Sequence, residues 1–136
     1  MNPLAVETAL KSALAASAFP TTTIYTGTSY AELTPESLNL IVSVDSLQSV
    51  GKGLYTATAM VKLTAPALLG DTAYTQFSAA LESLKVALSD TYLLANWPVA
   101  DAPSFCGSSP CPSSISTGQD NHAWTADLQM TLGVMD

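Results

Sequence analysis

Apolar and polar positions alternate with different periods along the chain, and each period predicts an element. Val6, Leu10, Ala13, Leu14 and Ser17 recur at helical spacing, with Asn2 placed to cap and Pro3 at the first helical position. A first helix over about residues 3–17 follows, ended by Phe19-Pro20. Thr21 to Thr26 is β-branched and aromatic around Ile24 and Tyr25, which predicts a short strand punctuated by Gly27. The polar segment Thr28 to Ser37, with Pro35, predicts a loop. Leu38, Leu40, Val42 and Val44 then alternate with polar or outward positions, and Tyr55, Ala57, Ala59, Val61 and Leu63 do the same. Between them Ser46 to Gly53 breaks the pattern and contains Gly51-Lys52-Gly53, so the two runs form a hairpin with a sizeable loop, its second arm stopped by Pro66.

Asp71 is placed to cap a second helix, along which Tyr74, Phe77, Leu81, Leu84 and Leu88 fall on one face, with Glu82 and Lys85 spaced to pair on the other. From Tyr92 to Asn121 the chain is rich in Pro, Ser and Gly and carries no period, which predicts a long irregular loop at about 92–121. Trp124, Ala126, Leu128, Met130, Leu132 and Val134 close the chain as the longest clean alternation, a strand with one face in a core. The fold class is therefore α+β: a mainly antiparallel four-stranded sheet with two helices packed on one face, in the order α-β-β-β-α-β. A single domain over residues 1–136 is expected, since there is neither an internal repeat nor a second hydrophobic cluster.

Composition narrows what such a domain does. A chain of 136 residues buries roughly two-thirds of its unfolded surface. With 48% hydrophobic and only 11% charged residues, it covers itself largely with Thr, Ser, Ala and Gln, a surface suited to contact with other subunits. No segment is long and apolar enough to cross a bilayer, and the N-terminus lacks the basic start of a signal peptide. The net charge is −7, arginine is absent, and Lys11, Lys52, Lys62 and Lys85 are scattered singly. Nucleic-acid binding needs clustered cations to release counterions, so it is not expected, and neither is arginine-dependent phosphoryl transfer.

The residues that could carry chemistry are sparse. His122 is the only histidine, which rules out a site of two or more histidines, and no nucleophile motif accompanies it. Cys106 and Cys111 could close a small surface disulfide or remain free thiols, while two thiols without a second pair make a weak metal signal. Gly51-Lys52-Gly53 joins two strands and lacks the following Ser or Thr of a phosphate loop, so it is read as a turn. Glu32, Glu36 and Asp45 lie in or beside loops as solvated carboxylates. No catalytic residue, metal or cofactor is expected, and the chain is not read as an enzyme. Leu47 and Val50, apolar residues in an irregular segment, together with Lys52, are the candidate contact to a neighbouring subunit.

Taken together, the N-terminal helix, the strand ending Ile24-Tyr25-Thr26-Gly27, the hairpin Leu38 to Leu63, the helix Tyr74 to Leu88 and the strand from Trp124 resemble the tail terminator and tail-completion proteins of tailed bacteriophages. The Cys-containing segment Tyr92 to Asn121 departs from that pattern. The resemblance implies a structural virion protein, assembled in the host cytoplasm and placed at the head-proximal end of the tail. It implies a homohexameric ring that caps the tail tube and meets the head-tail connector protein, with partners that are proteins rather than nucleic acid or membrane. Another phage neck or tail-completion protein of similar fold is the nearer alternative, and a small-ligand-binding or enzymatic domain the more distant one.

Overall fold

In the computed structural model the described residues are 2–15, 23–26, 39–66, 71–108, 114–120 and 123–136. They form α1 (Pro3–Ala15), β1 (Thr23–Thr26), β2 (Asn39–Gly51), β3 (Leu54–Pro66), α2 (Asp71–Ala87), α3 (Asp90–Asn96), β4 (Ser104–Ser108), β5 (Ser114–Asp120) and β6 (Ala123–Met135). The helix start read from Asn2 is present: its side-chain Oδ1 accepts from the Ala5 backbone N–H at 2.9 Å.

The alternating segments pair as their periods require. β3 and β6 run antiparallel in one unbroken register from Leu54↔Met135 to Pro66↔Ala123, and β2 pairs antiparallel with the other side of β3. This register stacks apolar residues in rows across the three strands, such as Val42, Val61 and Leu128, or Val44, Ala59 and Met130. One-residue slips would turn each row to the opposite face, so burial and register enforce each other. The rows and the inward sides of all three helices form one core, in which Leu10, Leu14, Leu84, Leu88, Leu93, Leu128 and Met130 are fully buried. α2 packs on β3, and both elements bury small residues beside large ones, Ala57 and Ala59 on the strand and Ala80 and Ala87 on the helix.

The α+β class, with an antiparallel sheet and helices packed on one face, is the observed architecture. Its details correct the expectation in three places. The sheet has six strands in the order β1-β2-β3-β6-β4, with β5 also on β6 and β1 parallel to β2. There are three helices among the described residues instead of two. And the segment read as an irregular loop at about 92–121 contains the end of α3, β4 and β5.

The reason lies in β6. Its side away from β3 would be an open edge, and β4 and β5 cover it in succession, β4 beside Leu132–Met135 and β5 beside Ala123–Gln129. An open edge of that length is unfavourable, so the edge recruits Ser- and Gly-rich backbone whose own strand propensity is poor. α3 was hidden for a different reason. It is a short helix with one fully buried anchor, Leu93, and its start is fixed by Ser89, whose hydroxyl oxygen accepts from Tyr92 N–H.

The hairpin also differs from the reading of Ser46 to Gly53 as a loop. β2 stays paired with β3 through Gly51, leaving only Lys52 and Gly53 at the turn. Register shifts between Val44 and Ser46 and between Ser49 and Gly51 interrupt the alternation, because each inserted residue reverses the parity of those that follow. Gly53 has φ of 74°, a left-handed backbone that glycine adopts without a Cβ clash, and its carbonyl accepts from Asp136 N–H at 2.8 Å. β1 covers only Asn39–Val42 of β2, and just beyond it Glu7 Oε1 of α1 accepts from Val44 N–H at 2.9 Å. A carboxylate at that point satisfies one edge donor and places charge where another strand would otherwise add.

On α2 the buried face is Phe77, Ala80, Leu84 and Ala87, with Leu81 partly buried, and Leu88 just beyond its end is fully buried. Tyr74, assigned to that stripe from its spacing, is instead half exposed and sets its ring edge-on to Trp124, 4.8 Å between centroids. Glu82 and Lys85 form the expected exposed ion pair at 3.0 Å. The loop read at Thr28 to Ser37 lies outside the described residues.

This packing predicts a sharp contrast. Leu128→Ala should lower unfolding free energy by about 2–5 kcal/mol through lost burial and a residual cavity. Val86→Ala, on the exposed side of α2, should change it by less than about 0.5 kcal/mol. Urea unfolding of both variants measures the difference, and equal effects would mean that the helix and sheet faces are wrongly assigned.

Candidate functional site

A site for chemistry needs converging polar groups. Among the described residues no group of three or more His, Cys, Asp or Glu side chains is placed to hold a metal ion. His122, Cys111, Glu32 and Glu36 lie outside the described residues. Cys106 is a free, exposed thiol on β4. What the described surface does offer is exposed apolar side chains: Tyr74 and Val86 on α2, and two further groups away from that helix, each held by backbone geometry.

The first place is the end of the β2–β3 hairpin. Val50 is 56% exposed, and Leu54 and Met135, register partners on adjacent strands, are 37% and 45% exposed. Lys52 stands exposed at the turn between them. Of the three residues singled out in the sequence, Val50 and Lys52 therefore belong to this surface. Leu47 does not: it is half-buried and packs against the chain's own core, opposite Ala57. Leu54 and Met135 escaped notice because each lies at a strand end, one residue beyond the alternating run. Only the register, which sets them side by side at the sheet's end, shows that they form a patch with Val50.

The second place is the start of α1 together with the segment 98–102 between α3 and β4. Leu4 is 61% exposed and Val99 is 98% exposed. A cavity of about 370 Å³ lies between the start of α1 and this segment, lined by Leu4, Ala5, Thr8, Pro98, Asp101 and neighbouring small residues. A second, of about 250 Å³, lies across the same segment against Leu94, Trp97 and Phe105. The segment is thus a ridge with a depression on each side.

This ridge is firmly pinned. Trp97, nearly buried, donates from Nε1 to the Pro103 carbonyl at 2.7 Å, which closes the segment into a loop. Its ring stacks on Phe105 of β4 with 5.2 Å between centroids. Asp90 at the start of α3 accepts from the Ser108 backbone N–H at 2.9 Å and from the Ser108 hydroxyl, tying the helix to the far end of β4. At the register shift within β4, Gly107 has φ of 113°. Asp101 also sits at positive φ, 55°, a conformation that Asp tolerates better than most residues. Both ends of the ridge are thereby fixed before any partner arrives, which lowers the ordering cost of contact.

No protein-family model matches the chain, and no curated protein matches it. One solved structure, whose name states no function, is similar at 19% identity over 98% of this chain and 92% of its own, with a TM-score of 0.49. That likeness carries no functional argument.

Two substitutions separate the pinning contacts from mere bulk. Trp97→Phe removes the donor to a buried carbonyl and should cost about 1–3 kcal/mol. Tyr92→Phe should be neutral or stabilising, because its buried hydroxyl has no hydrogen-bond partner among the described residues. Thermal unfolding of the two variants should shift in opposite senses or leave only Trp97→Phe destabilised; a larger loss at Tyr92 would contradict the hydrogen-bond assignment.

Proposed function

We propose that this chain is a structural, ring-forming virion subunit, a tail terminator that caps the tail tube of a tailed bacteriophage and meets the head-tail connector. The observation that carries this reading is the exposure of two separate apolar surfaces, the hairpin end and the α1/98–102 ridge, on a domain with so few charged residues. Isolated apolar side chains are ordinary on any protein surface. Here they are grouped and preset by hydrogen bonds, on a chain with only 11% charged residues, as surfaces buried in assemblies are.

The charge balance supports the same reading. A lumen through which DNA slides must not retain it, and a net charge of −7 without arginine keeps attraction weak. The specific assignment to the tail terminator role, six-fold stoichiometry and the head-proximal position rests on the resemblance in element order. Another neck or tail-completion protein of similar fold would share the assembly behaviour and differ in which virion protein it binds.

Native mass spectrometry and light scattering at micromolar concentration, alone and with the tail-tube protein, should show a closed multimer of this chain. Val50→Asp should leave the thermal transition within a few degrees of the parent while weakening assembly by about 2–4 kcal/mol, as apolar burial is lost and a charge is introduced. Leu47→Asp should destabilise the fold itself, since that side chain packs inward. A monomer under both conditions would remove the ring-forming reading.

A further inference from the structure

At the end of the sheet nearest the β2–β3 turn, the two outermost strands run in opposite directions. β2 is antiparallel to β3, β3 to β6 and β6 to β4, so β2 and β4 are opposed. Beyond Val42 no described strand lies on the outer side of β2, and none lies on the outer side of β4. Copies set side by side in one orientation would bring β4 of one antiparallel to β2 of the next, and the sheet would grow without limit. Unpaired edges of this kind are templates for strand addition.

The carboxylate found at Val44 has a counterpart on the opposite edge. On β2, Glu7 of α1 accepts from the Val44 N–H at 2.9 Å, where the register shift toward Ser46 begins. On β4, Asp90 of α3 accepts from the Ser108 N–H at 2.9 Å and from its hydroxyl, where the register shift after Phe105 ends. Val44 lies in the row of Ala59 and Met130, and Ser108 in the row of Ala57 and Leu132, two residues away along β3. At both edges a helix thus supplies a carboxylate to a strand N–H beside an irregular register. No described cation pairs with either carboxylate. Asp45, the exposed extra residue of the β2 shift, holds no strand donor.

We propose that Glu7 and Asp90 are a matched pair of edge caps that stop the sheet from extending through further copies of this chain. An added strand would have to displace the carboxylate from its donor and bring its own carbonyl oxygens up to a negative charge. The caps do not rest on the ring-forming reading. An edge freed on one side only can meet the same edge of a second copy about a twofold axis, which closes at a dimer, so open growth needs both edges free.

The experiment compares the full chain with Glu7→Ala, Asp90→Ala, the double variant and an equimolar mixture of the two single variants. Sedimentation and thioflavin T binding are read below the thermal transition, at a dilution where the parent is monomeric. Asp45→Ala removes a charge at the β2 edge without freeing a donor, and Leu128→Ala lowers stability without opening an edge; both should stay monomeric. Each single variant, and their mixture, should stop at two copies, at a concentration at least about tenfold below that at which the parent pairs. The double variant should form open-ended, thioflavin-binding polymers. A double variant that sediments like the parent overturns the caps, as does open-ended growth of either single variant or equal association of a control. Because the dilution lies below any ring assembly, either result leaves the ring-forming reading as it stood.

Discussion

The two-sided pairing of β6 is the constraint on which the rest of the structure depends. One side is held by β3 along its whole length, and the other by β4 and β5 in turn. Its alternate residues Ala126, Leu128, Met130, Leu132 and Val134 form the floor of the core. Because the backbone on the far side must be satisfied, the Ser-rich chain after α3 is drawn back along the sheet in place of running free. That return path sets where β4 begins, and with it the position of the 98–102 ridge. A surface feature is thus fixed by the hydrogen-bonding demand of a core strand several residues away in space.

The elements that could be read from sequence are those whose apolar period is long enough to outweigh local composition. α1, α2, β3 and β6 each repeat their pattern over at least three inward positions, as at Ala57, Ala59, Val61 and Leu63, and burial follows it. α3 has one fully buried residue, which no periodicity can register. β4 and β5 are strands because of what lies beside them, a tertiary effect that Ser104, Gly107 and Ser114 do not announce. The distal half of β2 was obscured by its own bulges, which reverse parity midway and made a paired strand resemble a loop.

The candidate surface was legible in part for the same reasons. Val50 and Lys52 stood out because they lie where the pattern breaks. Leu47 stood out equally, yet it falls on the inward side because the extra residue at Asp45 reverses the parity and sets it opposite Ala57. Leu54 and Met135 required the strand register, and Leu4 and Val99 required the packing of α3 and β4 that brings residues 98–102 beside α1. Pinning by Trp97 was invisible in a segment read as irregular, and the hold of Asp90 on Ser108 required the fold that brings β4 back to the start of α3.

The proposed assembly buries the hairpin end and the 98–102 ridge and leaves the core unchanged. Hydrogen-deuterium exchange of the full chain, assembled and then dissociated by dilution, tests this most directly. Backbone amides of residues 49–54 and 98–102 should gain protection together on assembly, while those of the exposed side of α2 around Val86 keep the same rate. Protection confined to α2, or to the sheet face turned away from the helices, would contradict the account.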